Sequence, residues 1–100
     1  MLNINKTIED GIAKFNLEGR LDTVTAPDFE TELKGTIGDV KNLMLDFEKL
    51  EYISSAGLRV LLAAQKMIGQ EGSMKLINVN EIIMEIFDVT GFTDILTIEQ

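Results

Sequence analysis

Apolar residues recur along this chain with two different periods, and the switch between them marks out its elements. Near the start they fall at Leu2, Ile4 and Ile8 and, beyond the polar "EDG", at Ile12, Phe15, Leu17 and Leu21. The alternation in the middle of this stretch predicts a β-hairpin, with Gly11 free to take positive φ in the turn. From Thr25 the spacing lengthens. Phe29, Leu33 and Ile37 stand four residues apart, one face of a helix. Thr25 is expected as its cap, with Asp28 completing a capping-box-like pair and Pro27 in the first turn, where a missing N–H costs nothing. Gly35 and Gly38 are expected to end it.

"VKNLMLDF", Val40 to Phe47, is nearly continuously apolar and reads as a strand buried on both faces. From Ala56 to about Gln70 a helical stripe runs through Leu58, Leu61, Leu62, Gln65 and Ile68, until "GQEGS" breaks it. "MKLINV" predicts another strand. Asn80 caps a third helix with Ile83, Ile86 and Phe87 facing inward, Gly91 stops it, and "ILTI" reads as a short last strand. The order is β-β-α-β-α-β-α-β. Such alternation demands a sheet with parallel neighbours joined by right-handed crossovers. The expectation is an α/β fold, a mixed sheet covered by helices, formed as one domain over residues 1–100.

Charge narrows the functions. Seventeen acidic residues against nine basic ones give a net charge of −8, a surface that repels nucleic-acid phosphates and anionic membranes. A protein partner with a basic or mixed surface fits better. With no Cys and no His, disulfides, thiol nucleophiles, Cys/His zinc sites and a Ser-His-Asp triad are excluded. There is no phosphate loop and no G-x-S-x-G elbow. Asp46, Glu48 and Glu51 read as a solvated strand end rather than as a metal or acid–base site. No cofactor, no metal and no catalytic residue are expected. "MLNINKTIED" lacks the basic start and apolar block of a signal peptide, and no apolar run approaches the roughly 20 residues of a membrane span. The expected location is the cytoplasm.

The remaining chemistry lies in "EYISSAGLRVLL", Glu51 to Leu62. Ser55 directly precedes Ala56 and Gly57 and is expected to cap the second helix, although Leu58 stands where a capping box needs Glu or Gln. Gly57 in a first turn costs roughly 1 kcal/mol relative to Ala. Small residues at 56 and 57 are expected to leave the helix start bare, open to close approach by another protein.

"LMLDFEKLEYISSAGLRVLL" resembles the signature of STAS domains, which are shared by anti-sigma-factor antagonists and sulfate transporters. The pattern falls on Asp46, Phe47, Leu50, Tyr52, Ile53, Ser54, Ser55, Ala56, Gly57 and Leu58. "LEGRLDTVTAPDFE" is similar to a second family segment through Gly19, Leu21, Asp22, Thr25 and Ala26, and "VTGFTDILTI" to the closing helix and strand. The resemblance implies a STAS-like fold and the cycle of the small cytoplasmic members. In that cycle the unmodified protein binds an anti-sigma factor that is also a serine kinase, freeing the sigma factor. The kinase phosphorylates one serine, the pair separates, and a serine phosphatase resets it. By alignment the acceptor is Ser55. Asp22, Thr23, Thr25, Ser54, Ala56, Gly57, Leu58 and Arg59 would form the partner surface.

The sequence departs from the best-known antagonists at Ser54, often aspartate there, at Ala56, there a serine or threonine, and at Arg59, often glycine. Ala56 removes a neighbouring hydroxyl acceptor. Arg59, four residues after Ser55, either faces solvent or reaches back toward a phosphate. The alternative reading is an accessory scaffold subunit of a lipid-transport or other ABC-type ATPase. A hydrolase using surface carboxylates is a third.

Overall fold

The computed structural model describes residues 1–69 and 71–99. Strands β1 (Leu2–Glu9) and β2 (Ile12–Leu21) pair antiparallel, with Ile4 opposite Leu17, Lys6 opposite Phe15 and Ile8 opposite Ala13. The turn between them has Asp10 at φ 54° and Gly11 at φ 78°. Two successive left-handed residues give the turn twist that matches paired strands. The register sends Ala13, Phe15 and Leu17 inward and leaves Ile12 on the outer face.

The remaining strands, β3 (Asn42–Ile53), β4 (Ser73–Ile77) and β5 (Thr97–Glu99), add in sequence order, each parallel to its predecessor. A sheet that grows in one direction through crossovers of one hand places every crossover helix on the same face. Helices α1 (Ala26–Ile37), α2 (Ser55–Ile68) and α3 (Glu81–Thr90) bury that face. Its inward residues include Phe15, Leu17, Leu43, Leu45, Phe47, Met74 and Leu76.

The expectation that Val40–Phe47 is buried on both faces is therefore corrected. Leu43, Leu45 and Phe47 are buried, Met44 and Asp46 only partly so, and Glu48 is exposed. Val40 precedes the strand, which runs on through "EKLEY" to Ile53 because β2 remains beside it. That pairing passes two register shifts, between Asn16 and Glu18 and between Gly19 and Arg20.

Two aromatic pairs pin helices to the sheet. Phe15 of β2 meets Phe29 of α1 edge-on, with ring centroids 6.1 Å apart, and Phe47 of β3 meets Phe87 of α3 at 6.4 Å. In α1 the buried stripe is Ala26, Phe29, Leu33 and Thr36. Thr36 rather than Ile37 takes the last inward place. Its hydroxyl donates to the Glu32 carbonyl and accepts from Lys6 Nζ. Gly35, expected to help end α1, lies inside it, and Gly38 is the cap. In α2, Leu58, Leu61, Ala64 and Ile68 face the core, whereas Leu62 and Gln65 are only partly buried. Gly69 caps this helix; the expected end near Gln70 lies outside the described residues.

Asn80 caps α3, accepting the Ile83 N–H at 2.9 Å, while its Nδ2 donates to the Leu50 carbonyl at 2.9 Å. Gly91, at φ 81°, closes the helix and a 3-10 turn over Phe92–Asp94 leads to β5. The Asn80 side chain thus joins a cap to a tether on β3. Asn80→Ala should lose both, about 2 kcal/mol in all, and Asn80→Asp, which keeps the acceptor alone, about half that. Urea unfolding with unchanged m-values measures this.

Candidate functional site

The two loops that carry most of the sequence-predicted residues leave the C-terminal ends of β2 and β3, which are neighbours in the sheet. They are joined directly, since the Ser54 N–H donates to the Leu21 carbonyl at 2.9 Å. This bond holds Ser54 extended, at φ −99° and ψ 176°. Extended backbone at that point is the geometry of an N-cap, and the Ser54 side chain accepts from the Gly57 N–H at 3.5 Å. The Ser54 carbonyl takes the Leu58 N–H at 2.9 Å.

The cap of α2 is therefore Ser54 and not Ser55, as the sequence suggested. Ser55 becomes the first helical residue. Its side chain is exposed, and among the described residues its hydroxyl makes no hydrogen bond. Among the described residues no side chain accepts a hydrogen bond from it, and the arrangement leaves the hydroxyl free at the surface.

Gly57 is buried for an internal reason. A Cβ there would lie 2.8 Å from Ile53 Cγ1 and 2.8 Å from Leu21 Cγ. The first turn of α2 thus rests on the ends of β2 and β3, and the helix start is bare only on the side of Ser55 and Ala56. Leu58 is also buried, in the core. Both residues lie beneath the rim and present no surface on it.

The β2–α1 loop is organised by Asp22. Its Oδ1 accepts the N–H groups of Val24 (3.0 Å) and Thr25 (3.1 Å). Its main-chain carbonyl accepts the Ala26 N–H at 2.8 Å. Thr25 is buried, and its hydroxyl accepts the Asp22 N–H (2.9 Å) and donates to the Arg20 carbonyl (2.8 Å). It does not cap α1 with its side chain, contrary to expectation, because its oxygen accepts the Asp22 N–H of the preceding loop instead of a helix N–H. Arg20 Nε lies 3.8 Å from Asp22 Oδ2, and its guanidinium sits 4.3 Å above the Tyr52 ring. The Thr25 N–H holds the Asp22 carboxyl below its ordinary value, helped by the Val24 N–H, the Thr25 hydroxyl and the Arg20 charge, against partial desolvation.

Between α1 and α2 runs a shallow groove lined by Thr23, Ala26, Glu30, Ala56, Arg59 and Ala63. The structure thus brings Asp22, Thr23, Ser54, Ser55, Ala56 and Arg59 to one rim, over Thr25, Gly57 and Leu58. Sequence reasoning missed Val24, 83% exposed at the tip of the first loop. The available signal was an apolar residue inside the polar turn "DTVTAPD". Among the described residues no helix is long and apolar enough to cross a membrane, and no cluster of acidic side chains could hold a metal ion.

Residues 3–100 match the family model for the STAS domain. The anti-sigma-B factor antagonist of Bacillus subtilis is 30% identical over 100 residues, which cover 97% of this chain and 92% of that protein. An anti-sigma factor antagonist from Mycobacterium paratuberculosis has the same fold, with a TM-score of 0.90 at 22% identity, covering 98% of this chain and 85% of that one. So does the Bacillus cell fate determinant SpoIIAA in its phosphorylated form, with a TM-score of 0.75 at 17% identity over 100% of this chain and 92% of that one.

Two measurements probe the rim. Gly57→Ala forces a methyl into Leu21 and Ile53, and should destabilise by about 1–3 kcal/mol, read by chemical denaturation. Asp22→Asn should also destabilise, with a defined pH dependence. A depressed carboxyl contributes stability that is present above its ordinary pKa of 3.8 and lost as pH falls through the folded value. The gap between wild type and variant should hold from neutral pH to about 4 and close below it.

Proposed function

We propose, for a chain that belongs to the STAS domain family, that it is an anti-sigma-factor antagonist switched by phosphorylation of Ser55. The observation that carries this reading is the exposed, unbonded Ser55 hydroxyl at the start of α2, left free because Ser54 does the capping. The partner is an anti-sigma factor that is itself a serine kinase. The setting is the cytoplasm, and the module binds rather than catalyses. Asp22, Thr23, Ser54, Ala56 and Arg59 contribute contact surface, with exposed Val24 beside them. Thr25, Gly57 and Leu58 act from beneath by fixing the two loops. That the Bacillus subtilis relative is named an anti-sigma-B factor antagonist supports this reading over a lipid-transport accessory subunit, which is not favoured.

In the forward step a base of the kinase takes the Ser55 proton as Oγ attacks the γ-phosphorus of ATP. The Oγ–P bond forms, the bond from phosphorus to the bridging oxygen breaks, and ADP leaves. In the reset, water attacks that phosphorus within a serine phosphatase, the Oγ–P bond breaks, and inorganic phosphate departs as the hydroxyl is restored.

The added group brings about −1.5 to −2 charges at neutral pH. Free in water, at the start of a helix, that charge is tolerated. Inside a packed interface it must shed its water, and an uncompensated buried charge costs several kcal/mol. About 4 kcal/mol is a thousandfold in affinity. The complex can therefore separate without any refolding of the domain.

Incubation with the cognate kinase and ATP should add one phosphate by mass spectrometry, and none to Ser55→Ala. Ser55→Asp should weaken binding to the unmodified-state partner on the order of a hundredfold, with Ser55→Ala within a few-fold of wild type. Phosphorylation of Ser55→Ala to the same extent would refute the assignment.

A further inference from the structure

Ser55 and Arg59 are one turn apart on α2, and residues at this spacing share a face with Cβ atoms about 5–6 Å apart. Arg59 is exposed and lines the groove that begins beside Ala56. Lys6, Lys14, Arg20, Lys34 and Lys75 each stand in an ion pair; Arg59 stands in none among the described residues. Glu30, the carboxylate across the groove, is already matched by Lys34 at 3.8 Å. A planar fork of five donors is therefore uncommitted one helical turn from the free Ser55 hydroxyl. The other charges beside the rim are Asp22 in the β2–α1 loop, next to Arg20, and Glu30 on α1, next to Lys34; the two carboxylates repel a phosphate.

We propose that Arg59 is an in-cis clamp for the phosphate carried on Ser55: its guanidinium closes on two phosphate oxygens and ties the modified side chain back along the first turn of α2. The inference rests on Ser55 being the acceptor. Arginine suits the role better than lysine because its fork matches two oxygens at once. The clamp offsets the repulsion from Asp22 and Glu30, so the dianion is held in place on the rim. No covalent step is involved, since the clamp acts after the Oγ–P bond has formed.

The test uses full-length protein with phosphoserine installed at position 55 during translation, so that no kinase is needed. Titration by 31P NMR reads the second ionisation of the phosphate. In the wild type it should lie about half a pKa unit below that in Arg59→Gln. Arg59→Lys should retain part of the difference. Lys66→Gln, which removes a charge from the last turn of the same helix, should titrate like the wild type. Coincident curves for the wild type and Arg59→Gln overturn the clamp, as do equal shifts in Arg59→Gln and Lys66→Gln, which would mark a general field. Both variants are at exposed positions, and matching thermal unfolding confirms that the fold is retained. Should the kinase experiment above fail while this titration succeeds, the acceptor assignment falls and the Ser55–Arg59 geometry stands.

Discussion

The rim of this molecule depends on one close contact, the seating of the first turn of α2 on Leu21 and Ile53 with no side chain between them. Gly57 makes the approach possible. The bond from the Ser54 N–H to the Leu21 carbonyl fixes where the turn begins. Together they lock the end of β3 to the end of β2, so the two loops behave as one surface. A glycine that weakens an isolated helix is here the condition for docking it. The intrinsic cost of about 1 kcal/mol is set against the burial of two large side chains and the meeting of a strand-end carbonyl.

The same contact divides labour between two adjacent serines. Ser54, held extended, faces inward and satisfies the helix start. Ser55, one residue later, turns outward. A hydroxyl that served as the cap would have to be pulled from its hydrogen bond before a kinase could use it, and its modification would unpick the helix end. With the cap supplied by the neighbour, modification and folding are separable. A charge can then be added or removed at the surface while the core beneath is unaffected.

The rest of the fold supplies rigidity. All three helices lie on one face of the sheet, two of them pinned by Phe15–Phe29 and Phe47–Phe87. Asp22 collects three loop groups, while Thr25 ties the loop back to the Arg20 carbonyl. The β2–α1 loop is thus held by its own hydrogen bonds, with Val24 as its exposed apolar tip. A pre-formed surface of this kind loses little conformational freedom on binding.

Much of this was legible in the chain itself, wherever the deciding interaction is local. The Asp10–Gly11 turn, the Asn80 cap, the Gly91 stop and the order of strands and helices follow from residue chemistry within a few positions. The STAS resemblance rested on the same kind of short-range pattern, from Asp46 to Leu58. What only the tertiary structure decided involves partners far apart in sequence. Whether Ser54 or Ser55 caps α2 turns on the carbonyl of Leu21, more than thirty residues away in the chain. Thr25 gives up its expected cap because the end of β2 turns the Thr25 hydroxyl into the loop, where it accepts the Asp22 N–H at 2.9 Å and donates to the Arg20 carbonyl at 2.8 Å. The single covered face of β3 follows from the direction in which the sheet grows, and an apolar run cannot report that. Gly57 looked like an opening for a visitor and proved to be the seat of the helix, since sequence records that a side chain is absent but not which neighbours fill its place.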